Sequence, residues 1–251
     1  MIQLTVQSDV YVIVLITIIL GAAIILLSKK IDKADPLEKP KGIIVPVLWG
    51  VETVYNMVKT NVGDRYANAL TPYIIVLWVY IFVSNIISLF GLSSPTANLS
   101  VTLLLAFITW VLIQITEFRF QGVGGYFHSF LEPIPVMLPM NIFGKFSTMV
   151  SMSLRLFGNI LCGSIMMQLI YTFTQYLSNK LVGLFTSSSV QVFNFVAPVV
   201  APLLHAYFDL FAGFIQTLVF VTLTVVLIGN DIPEEAKKVS VNTGTVTPES
   251  H

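Results

Sequence analysis

The sequence predicts an all-α membrane protein with about five membrane-embedded helices and one interfacial amphipathic helix, the last two spans being long and steeply tilted. Three observations predict it. Of 251 residues, 55% are hydrophobic and only 10% charged, whereas soluble domains carry roughly a quarter charged residues. Apolar runs long enough to cross a hydrocarbon core of ~30 Å recur along most of the chain. Basic residues gather in alternate polar stretches, as they do on one side of a bilayer. The runs form one series without an internal repeat, so residues 1–251 read as a single membrane domain.

Residues 10–27 form an apolar run that ends at Ser28-Lys29-Lys30. Asp9 precedes the run and no small-residue cleavage site follows it, which marks a retained first span rather than a signal peptide. Residues 43–60 mix Glu52 and Lys59 with Trp49 and Tyr55, a pattern suited to a helix lying in the interface. Residues 73–90 and 99–116 form two further spans around a short turn. Between Arg119 and Pro139, Gly122, Gly124, Gly125, Pro133 and Pro135 predict a loop that breaks regular structure. Residues 140–176 and 190–228 both exceed the ~20 residues of a perpendicular crossing, which predicts a tilted helix pair joined by the polar loop 177–189. Residues 230–251 form a polar tail.

Lys29, Lys30, Lys33, Lys39, Lys41, Lys59 and Arg65 fall between the first and second spans, Arg119 follows the third, and Lys237 and Lys238 lie in the tail. These belong on the cytoplasmic side. Five crossings then place the N-terminus outside and the C-terminus in the cytoplasm. Short polar ends without a transit peptide fit a bacterial plasma membrane.

The formal net charge is zero, which gives no basis for nucleic-acid binding. Cys162 is the single cysteine, so no disulfide framework or thiolate metal site can be built within the chain. Walker, zinc-helix and dinucleotide motifs are missing. Neither a cofactor nor a metal is expected, and the chain is not an enzyme by itself.

Charged groups at membrane depth cost several kcal/mol and are functional candidates for that reason. Arg155 sits deep in the fourth span, with Asn159 one helical turn later on the same face. An arginine keeps its proton at every accessible pH, so it is a permanent cation. It can pin two helices through an acid, snorkel to an interface, or face a partner, and the small residues Gly158, Gly163 and Ser164 allow close approach. On the fifth span His205, Asp209 and Gln216 stand four and seven residues apart, near one helical face. Burial raises an Asp pKa and a nearby cation lowers it, so Asp209 can be poised for proton exchange, or it can form a static bridge to Arg155 or Lys145. His205 is a relay or a structural residue. Ser147, Ser151, Ser153, Thr172 and Thr174 more often satisfy the helix backbone than line a path. Glu117, with Arg119 beside it, and Glu132 read as solvated or interfacial.

The stretch Ser153-Leu154-Arg155-Leu156-Phe157-Gly158-Asn159 resembles the signature of subunit a of F-type ATP synthases. Ser84-Asn85-Ile86-Ile87-Ser88-Leu89-Phe90-Gly91 and Pro95-Thr96-Ala97-Asn98-Leu99-Ser100-Val101-Thr102 are similar to the region around that family's second and third spans. Phe208-Asp209-Leu210-Phe211-Ala212-Gly213-Phe214-Ile215-Gln216 resembles its final helix, and the likeness runs in order from Tyr73 to Gly229. The resemblance implies a stationary proton-channel subunit beside a rotating ring of c subunits, with two offset half-channels coupling proton translocation to ATP synthesis. It implies further partners in peripheral-stalk b subunits, indirectly the F1 sector, and membrane lipids. Within it Arg155 is the cation between the channels, Gln216 and Asn159 lie close by, and Asp209 stands where the family uses His or an acid. Ser164 occupies a position, nine residues after Arg155, where Glu is frequent. Two departures stand out. Acids that often follow the Pro-x-Asn stretch are replaced by Gly144 and Lys145, which thins the acid lining of the outer half-channel, and Thr217 stands where Ala is usual. A proton-coupled secondary transporter, with Arg155 binding an anionic substrate, is the alternative, and a membrane scaffold is a third reading. The missing repeats argue against transport of that kind.

Overall fold

The computed structural model describes residues 8–32, 42, 44–90, 92, 94–131, 135–183, 193–233 and 236–237. Among the described residues every regular element is helical, and five stretches are long and apolar enough to cross a membrane. Helices are what the composition demands, because in lipid each backbone polar group must be satisfied within its own segment.

The first span, α1 (Ser8–Asp32), stands at the periphery. Of its side chains between residues 10 and 30 only Ile16 is buried. The amphipathic helix α2 (Ile44–Val62) turns at Gly63, whose φ of 87° favours glycine, into α3 (Asp64–Ile86). Asp64 in the first turn complements the helix dipole. The second span therefore starts nine residues before the expected residue 73, because nothing between 64 and 72 breaks a helix apart from Pro72, tolerated where neighbouring groups satisfy the freed carbonyl. Short 3-10 turns at Ile87–Phe90 and Pro95–Ala97 lead into the third span.

That span, α4 (Leu99–Leu131), corrects the loop expected between Arg119 and Pro139. The chain stays helical to Gln121, breaks at Gly122 alone (φ 68°, ψ 175°), and resumes as a helix. That backbone region is essentially open only to glycine. The segment after the kink folds back beside α4: the Tyr126 hydroxyl donates to Gln114 Oε1 at 2.8 Å and the Ser129 hydroxyl to Glu117 Oε1 at 3.3 Å. Gly124 and Gly125 are thus carried within a helix. The part of the expected loop at 132–134, Glu132 and Pro133 included, lies outside the described residues.

The first long helix, α5 (Leu138–Gly183), has 46 residues, or ~69 Å at 1.5 Å per residue. That is more than twice the hydrocarbon thickness, longer than a perpendicular crossing requires. It extends through the first half of the polar loop expected at 177–189, whose remainder, 184–189, is outside the described residues. The last span is not one α-helix. It comprises α6 (Ala197–His205), a π-helical segment Ala206–Ala212, and α7 (Gly213–Asn230). Asn194 ties its start to α5, donating to Thr174 Oγ1 at 3.0 Å and accepting from the Ser178 hydroxyl at 3.2 Å and from the Ala197 N–H at 3.0 Å. Pro202 inside α6 leaves the carbonyl four residues back without its usual donor, which loosens the α-helical ladder just before the π segment.

Helices α2, α3, α4, α5 and α7 share one core that includes Val58, Ile74, Ile81, Ala106, Leu156, Phe220 and Val225. In lipid the gain comes from close packing rather than from expelling water. Gly229 illustrates this, since a Cβ there would stand 2.6 Å from the Asn61 carbonyl oxygen. The polar tail begins inside this packing with Ile232 buried, while residues 238–251 lie outside the described residues.

Candidate ion-translocation site

The two long helices carry ionisable groups at three levels. In the middle, Arg155 emerges from α5 on an exposed face beside Leu154. Among the described residues its guanidinium has no carboxylate within ion-pair distance. Of the static roles open to it in the sequence, the pin through an acid, Asp209 included, is not formed among the described residues. Asn159, one turn further along α5, and Gln216 on α7 are each partly covered, and the amide nitrogens Asn159 Nδ2 and Gln216 Nε2 are buried with no hydrogen-bond partner among the described residues. Buried donors of this kind carry a desolvation cost until an acceptor reaches them.

Toward one end of α5, sixteen residues and so ~24 Å beyond Arg155, Tyr171 meets the π-helical region. Its hydroxyl lies 3.1 Å from His205 Nε2, and His205 Nδ1 lies 2.7 Å from Asp209 Oδ2. The partner of Asp209 is therefore His205, not Arg155 or Lys145. A neutral imidazole has one donor and one acceptor nitrogen. With Asp209 ionised, Nδ1–H donates to the carboxylate and Nε2 accepts from Tyr171. The ring can then take a proton at one nitrogen and release one from the other. The π-helical turns advance less per residue than an α-helix does, so Asp209 and Gln216 are rotated out of the single face that their spacing of seven predicts.

Toward the other end, ten residues or ~15 Å before Arg155, Lys145 enters the fold. Its ammonium donates to both oxygens of Glu117 at 2.6 Å. Rings of Tyr126 and Phe130 lie 4.7 and 4.1 Å from the same nitrogen, a cation–π cage around the pair. Glu117 is 5% exposed, which corrects its reading as a solvated or interfacial residue. A lysine placed in an apolar segment requires an acid, and α4 supplies one. Asp231, just past the end of α7, is pushed up to about 6, first by burial and then by the Glu117 carboxylate, with Lys145 acting in the opposite sense.

The remaining residue singled out in the sequence, Ser164, turns its hydroxyl to the Ile160 carbonyl at 2.6 Å, the backbone bond that serines commonly make within helices. It joins neither cluster. Sequence reasoning missed Tyr171 and the Glu117–Lys145 pair, since the partners stand 34 and 28 residues apart and no local spacing signals them. Among the described residues no group of His, Cys, Asp and Glu could hold a metal ion.

Comparison with known proteins bears on this arrangement. The profile of the ATP synthase A chain family matches residues 10–229. "ATP synthase subunit a, sodium ion specific" of Propionigenium modestum is 32% identical over 201 residues, covering 72% of this chain and 62% of that protein. ATP synthase subunit a of Oceanobacillus iheyensis is 32% identical over 206 residues, covering 78% and 80% of the two chains. ATP synthase subunit a of Streptococcus agalactiae serotype III is 31% identical over 203 residues, covering 77% and 79%. The chain thus spans a little under two thirds of the first of these relatives and about four fifths of the other two.

Proposed function

Because the chain belongs to the ATP synthase A chain family, we propose that it is the stationary proton-conducting membrane subunit of a rotary ATP synthase, working against a ring of small subunits that carry carboxylates. The single observation that supports this most is Arg155, a permanent cation without an acid partner among the described residues, set along α5 between two ionisable clusters to which α5 contributes Lys145 and Tyr171. A static helix pin would have a counter-ion. A cation awaiting a passing carboxylate would not.

The chemistry follows from the charges. A ring carboxylate reaching Arg155 is held ionised, because a nearby cation lowers an acid's pKa. The idle amides of Asn159 and Gln216 offer it hydrogen bonds at that level. Once protonated it can turn into lipid, since neutralisation removes most of its transfer cost. Tyr171, His205 and Asp209 deliver or collect the proton on one side of Arg155, and the Glu117, Lys145 and Asp231 cluster lies toward the opposite mouth. The cation blocks direct passage between the two sides, so protons cross only by riding the ring. A membrane potential supplies about 2.3 kcal/mol per charge per 100 mV to drive that motion.

Besides the ring, the proposed partners are peripheral-stalk b subunits, the nucleotide-hydrolysing F1 sector and membrane lipids. The N-terminus lies outside a bacterial plasma membrane and the C-terminus in the cytoplasm, following the basic residues between α1 and α3. One relative is named sodium ion specific, but here the imidazole of His205 stands in the path, and imidazole exchanges protons and is a poor ligand for an alkali cation. Purification in mild detergent should recover the chain with a ring of small subunits and an ATP-hydrolysing sector. Vesicles containing that complex should make ATP from an imposed proton gradient in sodium-free buffer. Recovery of the chain without those subunits, or synthesis that requires sodium, would overturn the proposal.

A further inference from the structure

The Ser84-Asn85 and Pro95-Thr96 stretches, prominent in the sequence, contain no group of the translocation site. In the fold they build a buried polar node at the end of α3. Asn85 is 1% exposed and Thr96 is fully buried. Asn85 Nδ2 donates to the Gly213 carbonyl at 3.1 Å and toward Thr217 Oγ1 at 3.3 Å. Thr96 donates to Asn85 Oδ1 at 3.0 Å, and the Ser94 hydroxyl, 2.7 Å from Thr96, also reaches the Ser84 carbonyl at 2.5 Å. The amide orientation follows from the partners: a carbonyl can only accept, so the nitrogen must face Gly213, and the oxygen is left for the Thr96 hydroxyl.

The place where this node grips the last span is specific. Gly213 is the first residue of α7 after the π-helical segment Ala206–Ala212, so Asn85 holds the junction between the two helical registers. Asp209 lies before that junction and Gln216 after it. A Cβ on Gly213 would stand 3.0 Å from the Asn85 Cβ, so glycine is what lets α3 come this close. Thr217, the residue following Gln216, bonds the same Gly213 carbonyl at 2.8 Å. A π segment is a costly local register that persists only where neighbours hold it.

We infer that Asn85 is a positioning residue for the proton pathway, fixing the junction that sets the offset of Asp209 from Gln216. This rests on the function proposed above for those two residues. Asn85 itself exchanges no proton and touches no transported ion. The ionisable groups in hydrogen-bonding reach of the segment are His205 from α6 and, behind it, Tyr171 from α5. From α3 and α7 the junction meets neutral Asn85 and Thr217.

The test measures proton-driven ATP synthesis per assembled complex, across pH, in vesicles carrying Asn85→Ala, Thr96→Val, Thr96→Ser or Gly213→Ala. Asn85→Ala and Gly213→Ala should lower the rate by roughly tenfold, the scale of loss that misplacement of a reacting group produces, and should displace the pH profile. Thr96→Val should do the same more weakly, and Thr96→Ser, which keeps the hydroxyl, should restore the wild-type profile. Adding Asn85→Ala to Asp209→Asn should displace the profile no further than Asp209→Asn alone, because Asn85 acts through that carboxylate. If Asn85→Ala does not assemble, the Thr96 pair and Gly213→Ala decide. Wild-type pH profiles in assembled variants overturn the inference while Arg155→Ala and Asp209→Asn still impair synthesis. Should those two variants also be silent, the functional reading fails and the inference with it.

Discussion

At the scale of single residues, the site depends on the environment given to each charge more than on its identity. Asp209 is a carboxylate paired with an imidazole, and Asp209→Asn should slow proton flux and displace its pH dependence, measured as ATP-driven acidification of vesicles. His205→Ala should be milder, because water can replace a relay more readily than a proton-binding carboxylate. Wild-type flux in that variant would leave His205 a packing residue. Asp231 gives a pH prediction whose sign is definite. Its pKa rises from 3.8 to about 6 on folding, first through burial, so the folded chain binds more protons than the unfolded chain between those values. Stability therefore falls as pH rises through that window. Asp231→Asn removes the penalty and should raise the thermal midpoint of the complex above pH ~6, with no gain below pH ~4. A gain of equal size at both ends would contradict it.

At the scale of elements, the helices were legible and their interruptions were only partly so. Uninterrupted apolar stretches marked five spans, because length and apolarity are what a bilayer selects. Gly122 marked a break, but the surrounding glycines and prolines suggested a long loop where only one residue leaves helical space. A Cβ at that φ and ψ costs about 1–3 kcal/mol. Gly122→Ala should accordingly destabilise the returning segment that carries Tyr126 and Ser129, seen as faster proteolysis there and as loss of shielding of the Glu117–Lys145 pair. The π-helical segment had only Pro202 as a local sign, and a proline does not by itself specify that register. Pro202 precedes it and Asn85 bonds the residue that follows it, and a bond between residues 128 apart cannot be read from spacing along one helix. For the same reason the i to i+4 pair His205–Asp209 could be anticipated, whereas Tyr171 and Glu117 could not.

At the scale of the whole molecule, the chain is an all-α membrane subunit in which Arg155, without an acid partner among the described residues, lies along α5 between two ionisable clusters, one built by α5 with the π region and the other by α4, α5 and the end of α7. Arg155, Asn159 and Gln216 were legible because charge and amide groups are conspicuous in apolar sequence. Their relation to the two clusters was not, since it depends on how five helices pack. The central claim is that Arg155 acts on a mobile carboxylate outside this chain. It is tested most directly by the rate of ATP synthesis from an imposed proton gradient in vesicles carrying Arg155→Ala at matched complex abundance. Loss of synthesis with the complex fully assembled is the expected result, because among the described residues no other group supplies a permanent cation at that level. Normal synthesis from the same amount of complex would contradict it.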